Sequence, residues 1–274
     1  MPYVKTTASP STDLYYIDLG RGQPVVLIHA WPLSHRMWES QIAALTDAGY
    51  RCIAYDRRGS GDSGKPAGGY DYDSFTSDLN DLMTQLDVRD AVLVGFSMGG
   101  GEVARYIGRY GTQRVAKAAL LASITPFLLK TSDNPGGVDK AVFDGMIEGV
   151  KANRIEFLEQ FFPAYYNYEP NQGVTADLLS FSKWIAYSAS PLATAQCIAA
   201  FGTTDFRTDL KKFTVPTLVA HGDADRTVPF DISAKLAHEQ IEGSRLEVIK
   251  GAPHGFAATH GAQLSELLLD FLGG

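Results

Sequence analysis

The sequence has 274 residues, 45% of them hydrophobic and 20% charged, which is enough apolar side chain for one large core and excludes a disordered chain. Lys+Arg 24 against Asp+Glu 31 leaves a net charge of -7, so the chain lacks the basic footprint of a nucleic-acid or anionic-membrane partner. In chain order, the opening stretch from Met1 to Pro10 has no apolar signal core, and no later stretch approaches the roughly 18 uninterrupted apolar residues of a membrane span. A cytoplasmic protein without a membrane segment is expected. Leu14 to Leu19 and Val25 to His29 read as strands. Met37 to Ala48 reads as an amphipathic helix with Trp38, Ile42 and Leu45 on one face and Gly49 as its stop. Arg51 to Tyr55 is the next strand, and Phe75, Leu79, Leu82, Met83 and Leu86 form a second helical stripe. Ala91 to Phe96 is a near-continuous apolar run, the pattern of a parallel strand covered on both faces. Val115 to Ala122, Val215 to His221 and Leu246 to Ile249 extend the strand series, and Ile232 to Ile241 and Leu264 to Phe271 supply the last helices. The alternation predicts an α/β fold with a mostly parallel central sheet and helices on both faces. Cys52 and Cys197, with neither CxxC spacing nor scaffold numbers, read as small core residues.

Between Thr125 and about Phe213 the alternation stops. The segment is helical by pattern and rich in Phe, Tyr and Trp, as a lid over a pocket would be. Phe161, Tyr165, Trp184 and Phe201 within it, and Phe230 beyond it, are pocket candidates, although buried aromatics often only pack.

Gly95-Phe96-Ser97-Met98-Gly99 fits Gly-x-Ser-x-Gly, directly after a strand and before a helix running from Met98 to Tyr110. That context matters, because a serine on so sharp a turn points its hydroxyl away from the sheet, with the first helical N–H groups facing what it attacks. A lone serine hydroxyl is a poor nucleophile, so an acid and a histidine are expected later in the chain. Asp225 sits in the loop after the strand ending at His221, with Asp223 as the alternative, and His254 lies in the loop after the following strand. Asp223 reads as a loop-holding turn residue. The remaining histidines, His29, His35, His221, His238 and His260, read as structural or solvated. A second oxyanion donor is expected after His29, where the Trp31 amide would act beside that of Met98; Pro32 biases Trp31 to an extended conformation and itself offers no N–H. Gly59 to Gly64 matches a dinucleotide fingerprint by letters, but Asp62, Pro66 and the glycines that follow deny it a helix start, so a turn loop is expected. No motif argues for zinc.

These residues together resemble the α/β-hydrolase superfamily, and within it the cofactor-free haloperoxidase branch of perhydrolases and arylesterases. The resemblance spans essentially the whole chain: Gln23 to Val26 through Trp31-Pro32-Leu33, Tyr55 to Ser63, Gly95 to Gly100, His221 to Asp225 with Val228-Pro229-Phe230, and Ala252 to Gly255. It implies Ser97 as nucleophile, Asp225 as acid and His254 as base, with the Trp31 and Met98 amides as oxyanion hole. It further implies hydrolysis of short-chain or aryl esters, exchange of water for hydrogen peroxide to give peracids, no cofactor or metal, and a homo-oligomer. Ala30 departs from the family's usual Gly after the histidine, and its methyl crowds the loop. Pro32 resembles the proline of members with marked perhydrolase activity, where its carbonyl is placed to bond an attacking peroxide. On this reading residues 1–124 and 214–274 form the hydrolase core and 125–213 an inserted helical cap. A lactonase or γ-lactamase-type amide hydrolase would use the same triad, and a non-catalytic ligand sensor would keep the fold without the chemistry.

Overall fold

The computed structural model describes residues 2–169 and 174–274. Eight strands, β1 (Tyr3–Lys5), β2 (Asp13–Gly20), β3 (Pro24–Ile28), β4 (Arg51–Tyr55), β5 (Ala91–Phe96), β6 (Val115–Leu121), β7 (Thr217–Gly222) and β8 (Arg245–Ile249), form one sheet in the order β1-β2-β4-β3-β5-β6-β7-β8. β1 and β2 run antiparallel to their neighbours, and β3 through β8 are parallel. The strand order folds back between β3 and β5, which brings the carboxyl ends of both to the centre of one edge, the place where open α/β sheets build their sites.

Side-chain alternation explains why the central strands read as unbroken apolar runs. Val26, Ile28 and Leu93 point to one core, and Val25, Leu27, Val92, Val94 and Phe96 to the other. Helices cover both cores. α1 (Glu39–Asp47) packs with the C-terminal α10 (Gly261–Gly273) on one face, and α2 (Tyr72–Gln85) with α3 (Met98–Tyr110) on the other. The first of these begins later than its apolar pattern suggests. Ser34 caps a separate 3-10 turn over His35–Trp38, and the amide of His35 donates to Asp56 rather than into a helix.

The segment after β6 carries α4 (Lys140–Tyr165), α5 (Ala176–Tyr187), α6 (Pro191–Thr203) and the single turn α7 (Arg207–Leu210), with no named strand among the described residues. α4 is broken at Asn153, whose φ of -154° and ψ of 90° are not helical. The Asn153 side chain accepts from Glu156 N at 3.2 Å and so restarts the helix as an N-cap. The two halves, with α6, lie over the carboxyl edge of the sheet; Phe161 and Phe201 pack edge-on against Trp31, and Phe143 packs on Phe201. α8 (Ala234–Gln240) and α9 (Phe256–Thr259) flank β8. Among the described residues no helix is long and apolar enough to cross a membrane.

Candidate active site

Ser97 links β5 to α3 with φ 54° and ψ -116°, a conformation few non-glycine residues adopt. The flanking glycines make the corner possible. A Cβ at Gly95 would run into the Gly99 carbonyl oxygen, and one at Gly99 into that of Ile28 on β3. The result is a serine held outward at the head of α3, still only 6% exposed.

Two loops from farther along the chain meet it there. His254 Nε2 lies 2.9 Å from Ser97 Oγ, and His254 Nδ1 lies 2.6 Å from Asp225 Oδ2. Because a carboxylate only accepts, Nδ1 carries the ring proton and Nε2 is left to accept from the serine hydroxyl. Asp225 Oδ1 takes the amides of Thr227 and Val228 at 2.9 and 2.8 Å. Burial opposes the charge on Asp225, but the neighbouring His254 and the hydrogen bonds from His221 and His254 outweigh it, so the carboxyl stays well below the usual carboxylate range. Asp223 faces away and accepts from Gly251 N at 2.5 Å, which ties the acid loop to the histidine loop. The imidazole of His254 is fixed between Phe96 and Tyr165, whose ring stands edge-on at 5.0 Å.

The amides of Trp31 and Met98 have no acceptor among the described residues. They are two free donors, one at the end of β3 and one at the first turn of α3, where the partial positive charge of the helix adds to them. A buried network joins these ends. Arg57 Nε donates to Glu102 on α3 at 2.7 Å, Arg57 Nη2 to the His29 carbonyl at 3.0 Å, and Arg57 N to His29 Nε2 at 3.0 Å. His29 Nδ1 then donates to the Ala30 carbonyl at 2.8 Å. Burial, and then the charge of Arg57, push the His29 pKa down to about 3, so this imidazole stays neutral and single-tautomer. The Trp31–Pro32 peptide is cis.

Beside Ser97 lies a cavity of about 90 Å³, lined by Trp31, Phe143, Phe161, Phe201, Val228 and His254, with Leu128, Val142 and Met146 closing it. Of the pocket residues expected from sequence, Phe161 and Phe201 line this cavity. Tyr165 reaches the site by packing on His254 rather than by facing the cavity. Trp184 does not belong to it. That residue is 56% exposed on α5 and lies under the Arg36 guanidinium at 5.3 Å, because the helix turns its other face to the core. Phe230 also lies outside the cavity, packed edge-on against His221 at 6.0 Å. Pro32 lines a separate small cleft with Arg57, Ser60 and Cys197.

Sequence reasoning missed His221 and the aliphatic wall. His221 Nε2 lies 2.8 Å from the Val228 carbonyl and 3.1 Å from Asp225 Oδ2, a second imidazole on the same carboxylate. Its place four residues before Asp225 was the available signal. Leu128, Val142 and Met146 carried none, since aliphatic residues on a helical face look alike whether they meet a core or a cavity. In the Gly59–Gly64 loop the Asp62 amide donates to the Asp56 carboxylate at 2.8 Å.

A serine hydroxyl, an imidazole and a buried carboxylate in hydrogen-bonded series, with two free amides beside them at the carboxyl edge of a parallel sheet, have the geometry that acyl transfer requires. The chain belongs to the α/β-hydrolase fold family, whose model matches residues 23–260. It is similar to a non-heme chloroperoxidase of Kitasatospora aureofaciens, 43% identical over 97% of this chain and 98% of that one. It is also similar to a bifunctional esterase/perhydrolase of Acinetobacter calcoaceticus, 36% identical over 99% of both. Among solved structures, a bromoperoxidase from Bacillus anthracis matches with a TM-score of 0.95 and 48% identity over 99% of both chains. These whole-length matches fall in the cofactor-free haloperoxidase branch of the family.

Proposed function

We propose that the protein is a serine esterase of short-chain or aryl carboxylic esters that also transfers the acyl group to hydrogen peroxide. The observation that carries this reading is the continuous Ser97–His254–Asp225 chain opening into a small apolar cavity. Ser97, deprotonated by His254 while Asp225 holds the ring, attacks the ester carbonyl. The oxyanion is held by the Trp31 and Met98 amides, and a single donor of this kind is worth about 2.7–4 kcal/mol. The alcohol leaves on the proton from His254, and the same imidazole then deprotonates water, giving the acid, or hydrogen peroxide, giving the peracid. The relative named as an esterase/perhydrolase supports the second branch. Pro32, which lines the separate cleft rather than the cavity beside Ser97, acts on that branch through its backbone carbonyl.

A fluorophosphonate probe and a p-nitrophenyl ester series, run with and without peroxide, test the reading together. Labelling and turnover should vanish in Ser97→Ala, and peracid should form only in wild type. Folded wild-type protein that is neither labelled nor active would reject catalysis by Ser97. In Pro32→Leu the ratio of perhydrolysis to hydrolysis should fall; an unchanged ratio would remove Pro32 from the peroxide step.

A further inference from the structure

The oxyanion loop rests on an unusual partner. The amide of Ala30, next to Trp31, donates to the thioether sulfur of Met37 at 3.2 Å. A thioether is a weak acceptor, and peroxides commonly convert it into a polar sulfoxide.

Met37 is placed to meet such a reagent. It is partly buried and lines a second cavity of about 210 Å³, on the Tyr165 and Gly255 side of the site, whose rim carries the exposed Glu39 and Ser40. Of the other described methionines, Met83 and Met98 are 0% and 1% exposed, and only Met146 is comparably open, in the wall of the Ser97 cavity.

We propose that Met37 is an oxidation site that governs the oxyanion loop. A hydrogen peroxide or peracid O–O bond breaks, one oxygen passes to the sulfur, which gives up two electrons, and water or the carboxylic acid leaves. The sulfoxide cannot keep the present contact. If its oxygen takes over the Ala30 N–H, the loop must retreat to admit it; if it points elsewhere, a buried amide loses its acceptor. Either outcome displaces the adjoining Trp31 amide relative to Met98, so turnover falls more than acyl binding does, because Phe143, Met146, Phe161 and Phe201 of the cavity wall lie on other elements. The enzyme would thus be switched down by its own product. That internal source of oxidant rests on the peracid chemistry proposed above, whereas the reaction at Met37 does not.

The test treats wild type with peracetic acid and follows methionine oxidation by peptide mass spectrometry alongside ester kinetics. Met37 sulfoxide should accumulate in step with a loss of at least tenfold in kcat at little-changed KM, and methionine sulfoxide reductase should restore the rate. Met37→Leu, normalised to its own untreated rate, should resist. The idea is overturned if Met37 stays reduced, if it oxidises with kcat intact, or if the loss follows Met146 and appears in KM. A second arm supplies ester plus dilute peroxide to wild type and to Ser97→Ala. Equal Met37 oxidation in both would remove the enzyme's own peracid as oxidant and leave the result of the first arm standing.

Discussion

Four N–H groups converge on Asp225: two backbone amides, His254 Nδ1 and His221 Nε2. His221 Nε2 faces two acceptors and therefore carries its proton, while its buried Nδ1 has no partner among the described residues. This imidazole drains charge from the carboxylate that holds the proposed base. His221→Phe should leave Asp225 pulling harder on the imidazolium proton of His254, moving the acid limb of the kcat/KM pH profile upward by up to about one unit, the equivalent of a charge-assisted bond. His221→Gln, which can still donate, should move the limb back. An unmoved limb in the Phe variant would make His221 a bystander. The letters placed His221 at the end of a strand and so read it as structural; that its ring also meets Asp225 was not written in them. The cavity wall was equally silent. Met146→Ala should enlarge the acyl space, raising the hexanoate-to-acetate rate ratio by roughly fourfold per methylene admitted, from about 0.8 kcal/mol per buried CH₂. An unchanged ratio in a chain-length series would place the acyl chain elsewhere.

At the scale of elements, the two proposed oxyanion donors belong to different pieces of structure, and the Arg57–Glu102 pair is what joins them. Both side chains are almost wholly buried, and Tyr55 adds its hydroxyl to Glu102. Removing one partner strands the other charge, which costs about 3–5 kcal/mol. Glu102→Gln should therefore lower the urea midpoint strongly and also lower kcat, because Arg57 no longer fixes the His29 carbonyl against α3. The double variant Arg57→Met/Glu102→Leu should recover stability without recovering kcat. Recovery of both would mean the pair only fills space. The central parallel strands β3, β4, β5 and β7 were legible because burial on both faces makes them continuous apolar runs. β1 was not, since three residues are too few to show alternation. The helical breaks were hidden as well: the 3-10 turn before α1 is set by a tertiary bond to Asp56, and Trp184 shares its helix with core residues, so its outward direction depends on how α5 lies on the body.

For the molecule as a whole, the buried histidine that ties down the proposed oxyanion loop also sets a limit on acid stability. His29 has a pKa of about 3 when folded and about 6.5 when free. Between those values the unfolded chain binds a proton that the folded chain refuses, so stability is fully present above pH 6.5 and declines as the pH falls toward 3. A shift of this size corresponds to about 4–5 kcal/mol at the acid end, a large share of the 5–15 kcal/mol typical of a folded domain. Asp225, held below the usual carboxylate range, adds a second loss of the same sign, beginning only below about pH 4. The urea midpoint should accordingly slope downward from pH 6.5 to pH 4 in wild type and be nearly level over that range in His29→Leu, from a lower starting value because the Ala30 carbonyl loses its donor and the Arg57 amide its acceptor. An equal slope in both proteins would assign the acid lability to other groups. The proposed mechanism adds a loss that needs no unfolding, since a protonated His254 could not take the serine proton. Returning the enzyme to neutral pH tells the two apart: activity lost at His254 comes back as fast as a proton leaves, whereas activity lost through His29 comes back only as fast as the chain refolds.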